Sequence, residues 1–370
     1  MIESGTARRW TAFVLLAIFL LVTIAGGTVR AQTPVKLGEV RLGNSIDSCR
    51  GIEVATVGEQ TFAFASIHKG AVQYVVDVTD PTQPTTCTTI DPPLNDQWND
   101  PLLANGYLFT GHRFGGLNMI DVSDPCNPQV VSTTGTNYHF KGLTFHEILG
   151  TPYLFESEHC ANQRGGGLRV YDLTLGFLGW VGAALDPNWD GGDLKVTKDL
   201  FAYQLDPGRR VSGLEPVQLN VYDVAIADAP KRLGRYSLGN DVANQSSAYD
   251  LVLSADERWV LTGNGLDGLH VVDISKRNSP VVTRTFRRQG ISIEGLEFLD
   301  DEKTTLIVTY RKRNGNRALA AGDVTNLPQM SQVWLGVAEA PSITDVYAHD
   351  GVLYVATRDS GIYPELEIWR

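Results

Sequence analysis

Residues 119–131 read MIDVSDPCNPQVV: an apolar run closes on Asp121, Asp124-Pro125 and Asn127-Pro128 follow, and Gln129-Val130-Val131 opens a second run. Strand-forming residues on either side of a Pro-rich break are the pattern of two antiparallel strands joined by a tight turn.

The same pattern recurs along the chain. Asp77 in VVDVTDPTQP, Asp172 in VYDLTLGFL, Asp223 in VYDVAIADAP, Asp273 in VVDISKRNSP and Asp323 in AGDVTNLPQ stand where Asp121 stands, and Trp369 in LEIWR holds the last such place. Neighbouring copies are 44 (Asp77 to Asp121) to 51 (Asp121 to Asp172) residues apart. That period suits propeller blades and is too long for ankyrin or leucine-rich repeats. Seven units are expected, each of four antiparallel strands, because short alternating runs separated by Gly, Asn, Asp and Pro recur with no helical period. The fold expectation is therefore an all-β, seven-bladed β-propeller of four-stranded antiparallel blades.

Blade one reads GIEVATV, TFAFAS, VQYVVDV and TTCTTI; blade five reads YDLVL, WVLTG, GLHVVDI and PVVTRTF. Gly116, Gly167 and Gly268 each stand five residues before a repeat Asp, where a positive φ would turn the second strand into the third. Blade six runs from ISIEGLEF to MSQVWLG and carries a basic hairpin, Arg311, Lys312, Arg313 and Arg317, read as a solvated turn. Blade seven is one strand short, and residues 35–43, VKLGEVRLG, resemble the missing outer strand. Pairing of that N-terminal strand outside LEIWR would complete the last blade and close the ring, removing exposed sheet edges.

The first residues are different in kind. Arg8 and Arg9 precede an apolar run from Trp10 to Ala25, and Val29-Arg30-Ala31 is a small-residue cleavage site. Residues 1–31 are read as a cleaved signal peptide and 32–370 as a single propeller domain; an uncleaved membrane anchor is the minor alternative. The mature chain then has no membrane span and is secreted or extracytoplasmic, in a periplasm or at a cell surface. The balance of 31 basic against 42 acidic residues argues against nucleic acid as a partner.

In an oxidising compartment Cys49, Cys87, Cys126 and Cys160 are disulfide partners, since no C-x-x-C metal spacing is present. Three pairings are open. Cys87 early in an outer strand and Cys126 in the turn before the next outer strand would meet at a blade junction, which leaves Cys49 with Cys160.

GLNMIDVSDPCNP, GLRVYDL and GLHVVDISKRNSP together resemble the LVIVD-repeat family of secreted bacterial and archaeal β-propellers. The resemblance covers most of the chain and is strongest in blades one, two and five. It implies fold, export and a surface or envelope location, and no particular activity.

Two constellations stand out on the face where first strands begin. Glu53, Asp100, Asp193, Asp250 and Asp345 start the inner strands, with Glu294 near the equivalent place in blade six and Gly142 or His146 in blade three. Such a ring either attracts a hard cation, Ca²⁺ or Mg²⁺, or staples each blade to the next by accepting backbone N–H groups. His68, His112 and His159 follow the second strands of three consecutive blades and, with His146 and carboxylates, have the donor chemistry for a transition metal. Asp186, Asn188, Asp190 and Gly191 open like a calcium loop, with Thr197 where the bidentate Glu belongs. His146-Glu147 lacks the second His of a zincin, and no nucleophile elbow or phosphate loop appears.

The expected function is thus a non-enzymatic binding or scaffold module, a monomer taking a protein, peptide or glycan on its channel face. The alternative is a metal-dependent oxidase, hydrolase or lyase at the channel mouth.

Overall fold

A computed structural model describes residues 34–43, 49–67, 72–91, 98–112, 116–134, 139–159, 167–182, 192–206, 209–210, 213–214, 217–239, 250–330, 343–358 and 364–370. Its four-stranded sheets have consecutive strands as neighbours, as in Cys49–Val57, Gln60–Ile67, Gln73–Asp77 and Thr85–Ile90 of blade one, all antiparallel. Blades two, three and five repeat the order, blade four does so with a two-stranded hairpin, Arg209–Arg210 and Gly213–Leu214, inserted between its second and third strands, and the chain is a seven-bladed β-propeller. Blade six has three strands among the described residues, Ile291–Phe298, Thr305–Lys312 and Arg317–Asp323; its expected outer strand, MSQVWLG, falls almost wholly outside them. No helix among the described residues is long and apolar enough to cross a membrane.

Blade seven closes as the sequence predicts. Lys36–Arg41 pairs antiparallel with Pro364–Trp369, with Glu39 opposite Glu367 and Arg41 opposite Glu365. The pairing runs on at both ends: Val35 and Arg370 exchange backbone hydrogen bonds of 2.8 and 2.9 Å, and Leu42 N–H donates to Pro364 O at 2.8 Å. Leu42 itself is fully buried.

The apolar core lies between blades. Each sheet has two faces, and alternation sends neighbouring residues of one strand to opposite junctions. Phe62 and Phe64 pack with Leu108 and Ile120 of blade two, while Ala63 and Ala65 pack with Ala356 and Ile368 of blade seven. Further clusters join blades two to three, three to four, four to five, five to six and six to seven. This makes the ring self-consistent, because every described blade buries both faces of its inner strands.

The repeat Asp is a turn residue. Asp77, Asp121, Asp172, Asp223, Asp273 and Asp323 each accept, through Oδ1, the backbone N–H two residues on, at 2.8–3.0 Å. An Asx turn of this kind starts the third-to-fourth strand connection. Gly116 and Gly268 adopt the expected positive φ, 84° and 97°. Gly167 is not among the positive-φ residues; it sits in strand pairing with Glu158 and Gly182, and its carbonyl accepts Gln204 Nε2 at 2.9 Å.

The two sides of the ring differ in their connections. First-to-second strand turns are two residues long in blades one, two, three and seven, for example Gly58-Glu59 and Asn105-Gly106. On the other side, outer-to-inner strand connections vary from four residues (287–290) to thirteen (238–250).

Candidate functional site

The innermost strands bring acidic side chains to the blade junctions around the axis. Asp345 Oδ2, in blade seven, accepts the N–H of Ile52 in blade one at 2.9 Å. Glu53 in blade one accepts the N–H of Leu103 in blade two. Asp193 Oδ2 before Leu194–Val196 accepts the N–H of Leu251 in blade five at 3.3 Å. Asp250 Oδ2 in turn accepts that of Leu296 in blade six at 2.6 Å. Each acid therefore reaches forward to the first strand of the next blade. Hydrogen bonds to charged groups contribute about 1.5–3 kcal/mol each.

Blade three departs from the series for a steric reason. A Cβ on Gly142 would lie 3.0 Å from both Asp193 Cα and Gly192 O, so the backbones of blades three and four meet where other blades insert a carboxylate. His146 lies further along the same strand, opposite Tyr153 and near the Leu149-Gly150 turn. It is half-buried, and burial holds its imidazole below the usual value against the opposing charges of Glu257 and Glu147.

Other residues the sequence did not single out complete the axial cluster. Tyr347 OH donates to Glu53 Oε1 at 3.0 Å. Lys195 Nζ lies 3.0 Å from Asp193 Oδ2. Burial pushes Glu53 up to about 8, the hydrogen bond from Tyr347 only partly offsetting it. Glu297 is pushed up to about 7, again by burial, with Lys195 opposing. Asp250 rises well above the carboxylate range through burial and the charge of Asp193. Burial opposes the charge on Lys195, but Asp193 and Asp250 outweigh it and raise its proton affinity. Burial thus favours the protonated form at Glu53, Glu297 and Asp250, and Asp193 and Asp250 each also accept a backbone N–H from the next blade.

A second polar feature lies on the third strands. Three residues before the repeat Asp, the third strands of blades two, four and five carry Asn118, Asn220 and His270, all buried. Each interrupts an apolar run. Asn118 accepts Thr133 Oγ1 at 2.7 Å, Asn220 donates to Gln204 Oε1 at 3.3 Å, and His270 Nε2 lies 3.1 Å from Asp267 Oδ2.

The remaining sequence candidates are placed only in part. His68, Asp186, Asn188, Asp190 and Cys160 lie outside the described residues. Asp100, His112 and His159 are described through their strands and not their side chains. Cys87 and Cys126 form a disulfide with Cα atoms 5.4 Å apart, joining the outer strand of blade one to the turn before that of blade two. Cys49 is buried, and its expected pairing with Cys160 falls outside the described residues. Among the described residues, Glu39, Glu365 and Glu367 bring carboxylate oxygens within 4.8 Å of one another on the closing strand pair; Lys36 contacts Glu39 and lies 2.7 Å from Glu367.

The family model of the LVIVD repeat matches residues 102–136, so the chain carries an LVIVD repeat spanning blade two. No curated protein matches the chain.

Proposed function

We propose that the chain is an exported, non-enzymatic propeller whose mature domain begins at Gln32 and binds a protein, peptide or glycan as a monomer, at a cell surface or in an envelope. The observation that carries this reading is the contrast in connections. One side joins first to second strands by two to six residues and repeats Asx turns, whereas the other varies from four to thirteen residues between blades. A rigid scaffold with variable loops on one face is how propellers and similar folds acquire binding sites. The disulfide Cys87–Cys126 supports an oxidising compartment. Glu53, Asp193, Asp250 and Asp345, with Asp100, would then rim the site while serving the scaffold; His146 stands at the other end of its strand, beside the Leu149-Gly150 turn, and takes no part in it.

The test is to screen the protein on glycan and peptide arrays, then replace residues 183–191 or 240–249 with Gly-Ser segments of equal length. Binding should be lost in at least one replacement and kept when Asp121→Ala alters the opposite side. Binding indifferent to every connection on the variable face would overturn the reading. N-terminal sequencing of the exported protein should begin at Gln32; a chain still starting at Met1 points to an anchor.

A second reading, a metal-dependent enzyme using His68, His112 and His159, with a transition metal or Ca²⁺ at Asp186, Asn188 and Asp190, is favoured by the near-neutral proton affinities of Glu53 and Glu297; His146, at the opposite end of the strand pair from His159, drops out of that set. Stoichiometric metal uptake abolished by His112→Ala would support it. Absence of uptake with every added metal would remove it.

A further inference from the structure

The basic hairpin of blade six is more organised than a solvated turn requires. Arg311 and Arg317 are directly opposite one another in register, a placement that like charges disfavour. One carboxylate holds both: Arg311 Nε is 2.9 Å from Glu294 Oε1 and Arg317 Nε is 2.6 Å from Glu294 Oε2. The turn between them is built from Lys312 N–H donating to Asn316 O at 2.7 Å and Gly315 N–H to Lys312 O at 2.9 Å.

The connection from blade five to blade six lies against this hairpin. A Cβ on Gly290 would be 3.7 Å from Arg313 Cβ, and Ile291 N–H closes the turn onto Arg288 O at 3.1 Å. Arg287, beside Arg288, contacts Asp267 Oδ1 and donates from Nε to Asp267 O at 2.8 Å. Two segments from the variable side thus bring together Arg287, Arg288, Arg311, Lys312, Arg313 and Arg317, and among the described residues Asp267 and Glu294 hold Arg287, Arg311 and Arg317. Among the described residues of this rim the basic side chains outnumber the acids they contact, on a chain whose net charge is −11.

The acids do more than neutralise. Glu294 and Asp267, with side chains only 15% and 3% exposed, fix three guanidinium groups from beneath. Fixed arginines lose less rotamer entropy when an anion docks, and a planar guanidinium suits carboxylate or sulfate oxygens. Arg288 and Arg313 are exposed on the same rim. The rings nearest in sequence, Phe286 and Tyr310, are buried at 7% and 6% exposure, so among the described residues the rim offers charge without a stacking platform.

We infer that this rim of blade six is a docking site for an acidic polysaccharide, its repeated carboxylate or sulfate groups spanning the two arginine-bearing segments. Net acidity elsewhere does not prevent it, because charges more than a Debye length of about 8 Å away are screened at physiological salt. The inference rests on the proposed function in placing the ligand on the variable side, and narrows it to one ligand chemistry.

The test uses the mature protein on immobilised dextran sulfate, with neutral dextran as the blank. Arg288→Ala/Arg313→Ala is compared with Lys231→Ala/Lys276→Ala, which removes the same charge from exposed positions of the outer strand and turn of blades four and five. Wild type should be retained and released by salt. The arginine pair should weaken retention about tenfold and the lysine pair less than twofold, exposed charge contacts being individually modest. Equal weakening by both pairs, or no retention of wild type, overturns the inference. Single-stranded DNA bound as tightly as dextran sulfate overturns the polysaccharide class. If a replaced connection abolishes a glycan-array signal while the arginine pair leaves it intact, the proposed function stands and this inference falls.

Discussion

Two sets of carboxylates in one ring meet opposite environments. Those on the turn side, Asp121 and its equivalents, each close a local loop; Ser123 N–H holds Asp121 below the usual carboxylate range. Those on the inner strands, Glu53, Asp193, Asp250 and Asp345, cross a blade junction to a backbone N–H far along the chain, and burial raises Glu53 and Asp250. The difference teaches that repetition alone does not assign a role. An exposed repeated acid is a turn signature, and a desolvated repeated acid is a joint between blades.

The comparison sharpens with graded changes. Deleting residues 33–43 removes the closing strand and buried Leu42 and should have the largest effect, a loss of several kcal/mol seen as a large drop in melting temperature. An unchanged melting temperature would refute closure. Cys87→Ser/Cys126→Ser opens a link across 39 residues and should cost about 3–4 kcal/mol in urea unfolding. Asp345→Ala leaves Ile52 N–H unpaired at a part-buried junction and should cost about 2 kcal/mol. At the small end, Asp121→Ala loses one exposed turn contact and should cost about 0.5 kcal/mol or less in the same assay.

The two sets also respond oppositely to pH. Glu53 binds its proton more tightly folded than unfolded, so its contribution is fully present below about pH 4.5 and is lost as pH rises through about 8. Glu53→Gln should flatten the wild-type decline between those limits by about 1–2 kcal/mol, a discount on the full shift for a half-buried group. A decline identical in both proteins would place the titration elsewhere.

The blade count, the Asx-Pro turns, the closing strand and the Cys87–Cys126 link were legible because each depends on local spacing of Asp, Pro, Gly or Cys. The axial partners were not. Lys195 belongs to a blade whose described inner strand, Leu194–Val196, is three residues long, too short to carry a period. Tyr347 and Glu297 look like ordinary strand residues until ring closure places their blades beside their partners. Glu294 likewise gains meaning only from the register that sets Arg311 against Arg317. The sequence leaves Gly142 and His146 as two options for blade three, and only the approach of Asp193 and Gly192 explains why a side chain is missing at Gly142.

Hydrogen exchange at individual amides tests the joint directly. Asp345 and Ile52 are 293 residues apart in sequence, so Asp345→Ala should speed exchange at the Ile52 N–H in blade one, while Asp121→Ala speeds exchange only around Ser123. Unchanged protection of Ile52 in Asp345→Ala would contradict the inner carboxylates as the joints of this ring.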